Sequence, residues 1–204
     1  MKTRMLGVAA MMATAATLVG CSTGQVLSAD SGPGVLTVGS GQSPDSRVLA
    51  EIYAAVLRGT GSPVDTRLGL SEGEDLAALD SGAVDVLPEY MGGLLLRLQP
   101  GATAVEPDDV FEELNRSLPQ GLSVSDYAVA EQPGSGDAGD AGSSAAAANV
   151  VPLIRSGALT PEQVKALNVV AGELTTDELA EMGDAVRRGE LEPGRAADDW
   201  LAAR

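Results

Sequence analysis

The 204-residue chain is strongly acidic: it has 29 aspartate and glutamate residues against 13 lysine and arginine residues, no histidine and a net charge of −16. This charge disfavours nucleic acid as a partner. The chain has one cysteine, so an intrachain disulfide is excluded, and the lack of histidine argues against a zinc or haem site. We therefore expect no metal and no cofactor. Hydrophobic residues make up 44% of the chain, which is enough for a packed core.

Residues 1–20 have the layout of a secretory signal peptide. Lys2 and Arg4 precede an uncharged apolar run that is too short to span a membrane comfortably. The run ends in LVGC, which resembles the lipobox of bacterial lipoproteins and predicts cleavage before Cys21 and lipid attachment to its thiol. A buried free thiol is the alternative, but the polar segment 21–34 is typical of a flexible tether. We expect the protein to be lipid-anchored on the extracytoplasmic face of the cell membrane.

From residue 35 to residue 130, short β-type runs alternate with helical periodicity. The pattern predicts, in chain order, a strand over 35–40, a helix over 44–57, a strand over 64–70, a helix over 72–79, a strand over 84–90, a turn over 91–93, a helix over 107–118 and an extended segment over 122–130. Such alternation predicts an α/β fold with a mainly parallel sheet flanked by helices.

The composition changes at residues 132–148, where glycine, serine, alanine and aspartate dominate and no large apolar side chain occurs. This segment cannot contribute a packed core and is predicted to be a flexible linker. A β-type run over 149–155 follows, and then three helices close the chain. Two of these helices begin with capping boxes, at Thr160 and Thr175.

Ligands of open parallel sheets bind beyond the carboxyl ends of the strands. After the first predicted strand, backbone amides around Ser40 and Gly41 form a glycine-rich turn into a helix that is able to receive an anion, although an ordinary strand-to-helix turn is the alternative. At the end of the third predicted strand, Tyr90 either presents its ring to a cation or packs under the next helix. Tyr127 is open to either role.

Catalysis has little support in the sequence, because the chain lacks histidine and no nucleophile stands beside an activating group. Asp85 and Glu89 flank the third predicted strand and are assigned to the solvated surface. Tyr53 and Trp200 are assigned to the packed interior. The sequence therefore predicts that the protein is not an enzyme.

Three blocks of the sequence resemble a known family, the substrate-binding proteins of ABC importers for glycine betaine, choline, carnitine and related osmoprotectants. They are VGSGQSPDSRVLAEIYAAVLR, LDSGAVDVLPEYMGGLLL and NVVPLIRSGALTPEQVKALNVVAGELTTDELAEM. They resemble the family's opening strand and helix, its PEY segment and its closing part. The resemblance implies a type II periplasmic-binding-protein fold that delivers a small quaternary-ammonium solute to a membrane permease.

The resemblance also implies ligand-binding residues. Family members hold the ammonium group in a cage of aromatic rings from two lobes, and Tyr90 matches a cage tyrosine. Gly93 falls where many members have a ligand-contacting threonine, and Ser46 where many have a glutamine. One ring contributes about 0.5 to 2 kcal/mol, against about 4 kcal/mol for a millimolar dissociation constant. We therefore expect weakened ligand capture.

The linker over 132–148 stands where the family has its second lobe, so the resemblance implies a single lobe built from residues 35–131 and 149–204. Two functions are consistent with this organisation. The first is the lipid-anchored solute-binding component of an osmoprotectant importer. The second is a single-lobe interaction module that docks on a permease or another envelope protein without capturing solute. A third possibility is that the reading frame records a deletion and encodes an unstable product.

Overall fold

The structure is a computed structural model that describes residues 34–130 and 149–204, all of which belong to one structural unit. The predictions for the signal peptide, for Cys21 with nearly all of its tether, and for the 132–148 linker lie outside the described residues. None of the helices formed by the described residues is long and apolar enough to cross a membrane.

The described residues form five strands and seven helices. In chain order these are β1 (Leu36–Gly39), α1 (Pro44–Gly59), β2 (Val64–Arg67), α2 (Glu74–Asp80), β3 (Val86–Tyr90), α3 (Met91–Leu98), α4 (Pro107–Ser117), β4 (Leu122–Val124), β5 (Val150–Arg155), α5 (Pro161–Glu173), α6 (Thr176–Arg187) and α7 (Pro193–Ala202).

The five strands form one sheet in the order β2-β1-β3-β5-β4. β1 is parallel to β2 and to β3, whereas β5 is antiparallel to both β3 and β4. Four of the described strands therefore run in one direction, and β5 runs against them. This arrangement confirms the predicted mainly parallel sheet flanked by helices. It brings the carboxyl ends of β1, β2, β3 and β4 to one edge, which we call the carboxyl edge.

Helices cover the sheet on both faces and divide the core into two clusters. On the α1 face, α1, α5, α6 and α7 pack on strand side chains that include Val38 and Val86. On the α3 face, α2, α3 and α4 pack on side chains that include Leu87 and Leu153. Neighbouring residues of a strand alternate between the faces, so Val86 and Leu87 enter different clusters. Each buried aliphatic side chain contributes roughly 1.5 to 3 kcal/mol.

Helix starts follow the capping signals in the sequence. The side chains of Thr160 and Thr175 each accept a hydrogen bond from a backbone N–H three residues later, and both capping boxes are present. The prediction of a turn at 91–93 is wrong, because these residues form the first turn of α3. Gly92 and Gly93 each disfavour a helix by about 1 kcal/mol, but burial of leucines from α3 in the α3 face outweighs this preference.

The chain leaves and re-enters the described structure at the carboxyl edge. The N–H of Val150 donates to the carbonyl of Ala130 at 3.1 Å, and the N–H of Ala128 donates to the carbonyl of Val150 at 2.8 Å. These two bonds hold the ends of the intervening segment side by side. The unit built from the two described parts is therefore continuous across the sheet.

Candidate functional site

The loop after β1 is tied to the end of β2 through Ser40. This serine is fully buried, and its N–H donates to the carbonyl of Arg67 at 3.1 Å. Its Oγ accepts from the N–H of Gly69 at 3.0 Å and donates to the carbonyl of Gly41 at 2.9 Å. The N–H of Leu70 donates to its carbonyl at 2.8 Å. Ser40 therefore fixes the carboxyl edge, and its polar groups are engaged within the protein.

The glycine-rich turn is also closed by its own side chains. The N–H of Gly41 donates to Ser46 Oγ at 2.9 Å, and the N–H of Ser46 donates to Ser43 Oγ at 3.2 Å in the N-cap of α1. These two amides are therefore not directed at a bound anion. The arrangement matches the alternative interpretation of this segment, an ordinary strand-to-helix turn.

Tyr90 ends β3 at the carboxyl edge and turns its side chain to the α1 face, where its hydroxyl donates to Asp45 Oδ2 at 2.7 Å. Burial raises the pKa of the Tyr90 phenol well above its ordinary value, and the neighbouring Asp45 carboxylate raises it further. The phenol therefore keeps its proton as a hydrogen-bond donor. The strand end thus holds a neutral aromatic ring beside an acidic side chain.

Asp45 is only 5% exposed, and its carboxylate forms no salt bridge with a lysine or arginine of the described residues. Close packing explains its burial. A Cβ atom on Gly183 of α6 would lie 3.4 Å from the Cβ of Asp45, so α6 packs directly against the start of α1. Sequence reasoning misses Asp45 because an acidic residue in the first turn of a helix is ordinary.

Gly93 lies in the first turn of α3 and is exposed. A Cβ atom built on it would have no heavy-atom neighbour within 4 Å. The position that the resemblance assigns to a ligand-contacting threonine is therefore open space in the helical turn that follows Tyr90. A side chain is missing there, and the backbone has room to carry one.

Tyr127 lies on the other face of the sheet. Tyr90 pairs with Val150, and Val150 pairs with Ala128; these three residues pack on the α1 face. Tyr127, next in sequence to Ala128, packs on the α3 face, where its ring lies 5.3 Å from that of Phe111. Its hydroxyl donates to Asp108 Oδ1 at 2.6 Å. The structure therefore does not bring Tyr127 and Tyr90 into one aromatic cage.

The assignment of Asp85 to the solvated surface is wrong. It is 5% exposed, accepts the N–H of Thr37 at 2.9 Å and is paired with Arg155. This pair joins β1, β5 and the residue before β3. The carboxylate is therefore a structural group of the sheet.

The assignment of Glu89 to the solvated surface is wrong too. Arg97 of α3 lies 2.8 Å from Glu89 and 2.8 Å from Asp75 of α2, so that one guanidinium joins two carboxylates. Burial raises the pKa of Glu89 to about 7, although Arg97 opposes the increase. Burial also raises the pKa of Asp75, but hydrogen bonds from Arg97 and the Leu76 N–H outweigh it and the net pKa is lowered. Sequence alternation gave no indication of this cluster, because Asp75 and Arg97 belong to different helices.

The sequence matches the profile of a protein family described as the substrate-binding domain of ABC-type glycine betaine transport systems, over residues 34–141 and 137–203. The chain belongs to this family. Members are extracytoplasmic solute-binding proteins of importers, which bind small solutes and work with a membrane permease, and they are not enzymes. The family resemblance and the expected lack of enzymatic activity are thereby confirmed. No curated protein matches the sequence.

Solved structures of low sequence identity share the fold. Apo YehZ from Escherichia coli superposes with a TM-score of 0.69 at 15% identity, covering 83% of this chain and 98% of that one. A crystal structure described as a glycine betaine/carnitine/choline ABC transporter superposes with a TM-score of 0.66 at 11% identity, covering 82% of this chain and 98% of that one. These similarities confirm the periplasmic-binding-protein-like fold.

Proposed function

We propose that this chain is the lipid-anchored, extracytoplasmic solute-binding component of an ABC importer for quaternary-ammonium osmoprotectants of the glycine betaine or choline type, with weakened ligand capture. The observation that carries the proposal is the Tyr90–Asp45 pair at the carboxyl edge of a family member. Open α/β sheets bind their ligands at this edge.

The chemistry of the pair suits a quaternary ammonium group. Such a group has no N–H donor, so it is recognised by charge and by the negative face of an aromatic ring. Tyr90 supplies the ring. Asp45 supplies a negative charge that lies in a largely buried position, where it acts more strongly than at a solvated surface. No lysine or arginine of the described residues neutralises this charge.

The same geometry supports weak capture. Ser40, Gly41 and Ser46 are engaged in hydrogen bonds within the protein, and Gly93 has no side chain. Of the predicted site residues, Tyr90 alone offers a ring on the α1 face. A single cation–π contact contributes about 0.5 to 2 kcal/mol, so we expect dissociation constants no tighter than the millimolar range, which corresponds to about 4 kcal/mol.

The lipid anchor on Cys21 and the single-lobe organisation are parts of this proposal. Two acyl chains give stable attachment to a membrane. Tethering raises the concentration of a weak binder near a membrane permease without adding any contact. A single lobe that binds its solute and permease weakly would therefore gain the most in local concentration from a lipid anchor.

Calorimetric titration of the full chain with glycine betaine, choline and carnitine tests solute capture, with unmethylated glycine as the control ligand. We expect binding no tighter than the millimolar range for the three quaternary-ammonium solutes, and loss of that binding in Tyr90→Ala. Tyr127→Ala is the matched control variant, because it removes a ring from the opposite face, and it should bind as the parent does.

A micromolar dissociation constant would contradict weakened capture. Absence of heat with all three solutes at millimolar concentration would contradict solute capture and would favour a docking module. Cell fractionation tests the anchor separately: we expect the parent chain in the membrane fraction and Cys21→Ser in the soluble fraction. Equal distribution of the two chains would argue against lipidation.

A further inference from the structure

Arg47, in the amino-terminal part of α1, lies at the carboxyl edge. Its guanidinium lies against the backbone of Gly69, just beyond the end of β2: a Cβ atom on Gly69 would lie 3.1 Å from Nη2 and 3.7 Å from Cζ of Arg47. Gly69 has a φ of +81° and is itself bonded to Ser40 Oγ. The guanidinium thus lies over the joined ends of β1 and β2.

Arg47 has no partner within the described part of the chain. Its Nε is buried without a hydrogen-bond acceptor, and its guanidinium forms no salt bridge. Eight other arginines of the described residues each lie within 4.0 Å of a carboxylate, in a chain with 29 acidic residues. A buried donor without a partner is rare and needs an explanation.

The acidic side chain best placed to pair with Arg47 along α1 is engaged elsewhere. Glu51 is one turn further along the helix, a spacing that allows ion pairs, but its carboxylate accepts from Thr66 Oγ1 at 3.0 Å and lies 4.0 Å from Arg58. A cation near the amino end of a helix is also disfavoured by the helix dipole, by about 0.3 to 1 kcal/mol. Arg47 therefore adds no stability to α1. An anion bound to its guanidinium would be favoured both by the charge of the guanidinium and by the dipole of the helix.

We propose that Arg47 is the carboxylate-binding residue of this site and that it selects solutes bearing a carboxylate in addition to a quaternary ammonium group. The inference deepens the proposed function and rests on it for the ammonium end. A guanidinium binds a carboxylate through two parallel N–H···O bonds of about 2.7 to 2.9 Å. Choline, which has an alcohol instead, has no negative charge for this residue to pair with.

The spacing of the strands agrees with a zwitterion lying along the carboxyl edge. Tyr90 ends β3, Ser40 follows β1, and Gly69 follows β2, in the sheet order β2-β1-β3. Neighbouring strands are about 4.8 Å apart, so β2, at whose end the guanidinium lies, and β3, which ends in Tyr90, are separated by roughly 10 Å. A short betaine spans this separation when its ammonium group lies within about 6 Å of the ring and its carboxylate lies about 2.8 Å from the guanidinium.

Nuclear magnetic resonance of the arginine Nε–H groups in the full chain tests the carboxylate end by itself. Sodium acetate, titrated against the chain, should shift the Arg47 Nε–H signal saturably, whereas tetramethylammonium chloride should not. The signal is assigned by its loss in Arg47→Gln. Arg67→Gln is the matched control, because Arg67 ends β2 and likewise forms no salt bridge within the described residues, but it is exposed. Its removal should leave the acetate response intact.

Calorimetry supplies the second readout. Arg47→Gln should weaken glycine betaine binding by about tenfold to a hundredfold, the usual loss for a hydrogen bond to a charged group, and should leave choline binding unchanged. Arg47→Lys should recover part of the loss, because it restores the charge without the planar fork. Equal losses for glycine betaine and choline would overturn the assignment, as would an unchanged Arg47 signal at saturating acetate.

The two proposals fail in different ways. A saturable acetate response that persists in Tyr90→Ala, without binding of any quaternary-ammonium solute, would support the role of Arg47 and contradict the proposed function. Tyr90-dependent binding of choline, combined with no acetate response at Arg47, would support solute capture and overturn the inference about the carboxylate.

Discussion

Glu89 and Tyr90 are neighbours in β3, yet their side chains enter opposite faces of the sheet with different electrostatic surroundings. On the α3 face, Glu89 meets Arg97, which also pairs with Asp75. On the α1 face, Tyr90 meets Asp45, whose carboxylate has no cationic partner among the described residues, while Arg47 has no anionic one. Glu89, Arg97 and Asp75 are matched by one another within the protein. Asp45 and Arg47 have no oppositely charged partner among the described residues, and these two are the groups that we propose for ligand binding.

Replacing the two arginines provides the strongest test of this comparison. Arg97→Ala should lower the free energy of unfolding by about 2 to 3 kcal/mol, because it leaves two largely buried carboxylates unpaired. The value lies below the roughly 3 to 5 kcal/mol of fully buried pairs, since the Arg97 side chain is 30% exposed. Arg47→Ala should change stability by less than about 0.5 kcal/mol. Urea denaturation measures the free energy of unfolding of both variants.

Similar losses in the two variants would remove the distinction between the faces. Arg116→Ala is the control for arginine deletion in general, because its pair with Glu112 is exposed on both sides, at 71% and 73%. Such pairs contribute about 0 to 1 kcal/mol, so this variant should resemble the parent chain.

The α3 face should also respond to pH through Glu89. Its pKa in the folded protein is raised to about 7 from the ordinary value of 4.5, so the folded state binds the proton more tightly than the unfolded state. Glu89 therefore stabilises the fold most below pH 4.5, and this contribution is lost as the pH rises through about 7. Glu89→Gln does not titrate, so the parent should lose stability relative to it over that interval.

Urea denaturation of the parent chain and Glu89→Gln at several pH values between 4.5 and 8 measures the difference. Titrations of the other groups are common to both chains and cancel. A constant difference would show that Glu89 titrates as it does in the unfolded chain, and a difference that grows in favour of the parent would reverse the predicted sign.

The hydroxyl groups of Tyr90 and Tyr127 differ in the burial of their partners: Tyr90 bonds a buried carboxylate and Tyr127 an exposed one. Tyr90→Phe leaves the Asp45 carboxylate buried without its donor and should cost about 1 to 3 kcal/mol. Tyr127→Phe removes a bond to Asp108 that is exposed to solvent, and should cost less than about 0.5 kcal/mol. Thermal or urea denaturation of the two variants measures this directly. Equal costs would mean that the Tyr90–Asp45 bond is as solvated as its counterpart.

Sequence periodicity predicted most of the fold for a physical reason. The helix starts at Thr160 and Thr175 are set by contacts within four residues, and the strands β1 to β3 by short β-type runs, so local sequence suffices. It failed at α3, where two glycines disfavour a helix locally and the burial of leucines from distant parts of the chain decides the outcome. Packing between residues that are distant in sequence cannot be predicted from a local pattern.

The site was predictable only in part, for the same reason. Tyr90 could be selected because it ends a strand, and the resemblance added its role. Asp45 and Arg47 could not be selected, because what distinguishes them is the lack of a salt-bridge partner within the described residues, a property of the folded chain. Tyr127 was selected for the same reason as Tyr90. Its neighbour Ala128 lies on the face of Tyr90, and the alternation of side chains along the chain places Tyr127 on the other face.

The smallest effect that we predict concerns Gly93. If the carboxyl edge at the end of β3 binds a ligand, a hydroxyl at position 93 should improve capture. Gly93→Thr fits without rearrangement, because no heavy atom lies within 4 Å of the new Cβ. The variant should bind glycine betaine about two- to tenfold more tightly, the net contribution of one hydrogen bond, as measured by calorimetry.

Helix propensity must be separated from this gain, since threonine replaces glycine in a helix at a benefit of a few tenths of a kcal/mol. Gly172→Thr is the matched control: Gly172 is also helical, exposed and free of neighbours within 4 Å, but it lies in α5. It should share the change in stability without any change in affinity. Of the two glycines, only Gly93 lies in the helix that follows Tyr90. A gain in affinity confined to Gly93→Thr would therefore locate the ligand at the end of β3, whereas equal affinities in the two variants would place it elsewhere.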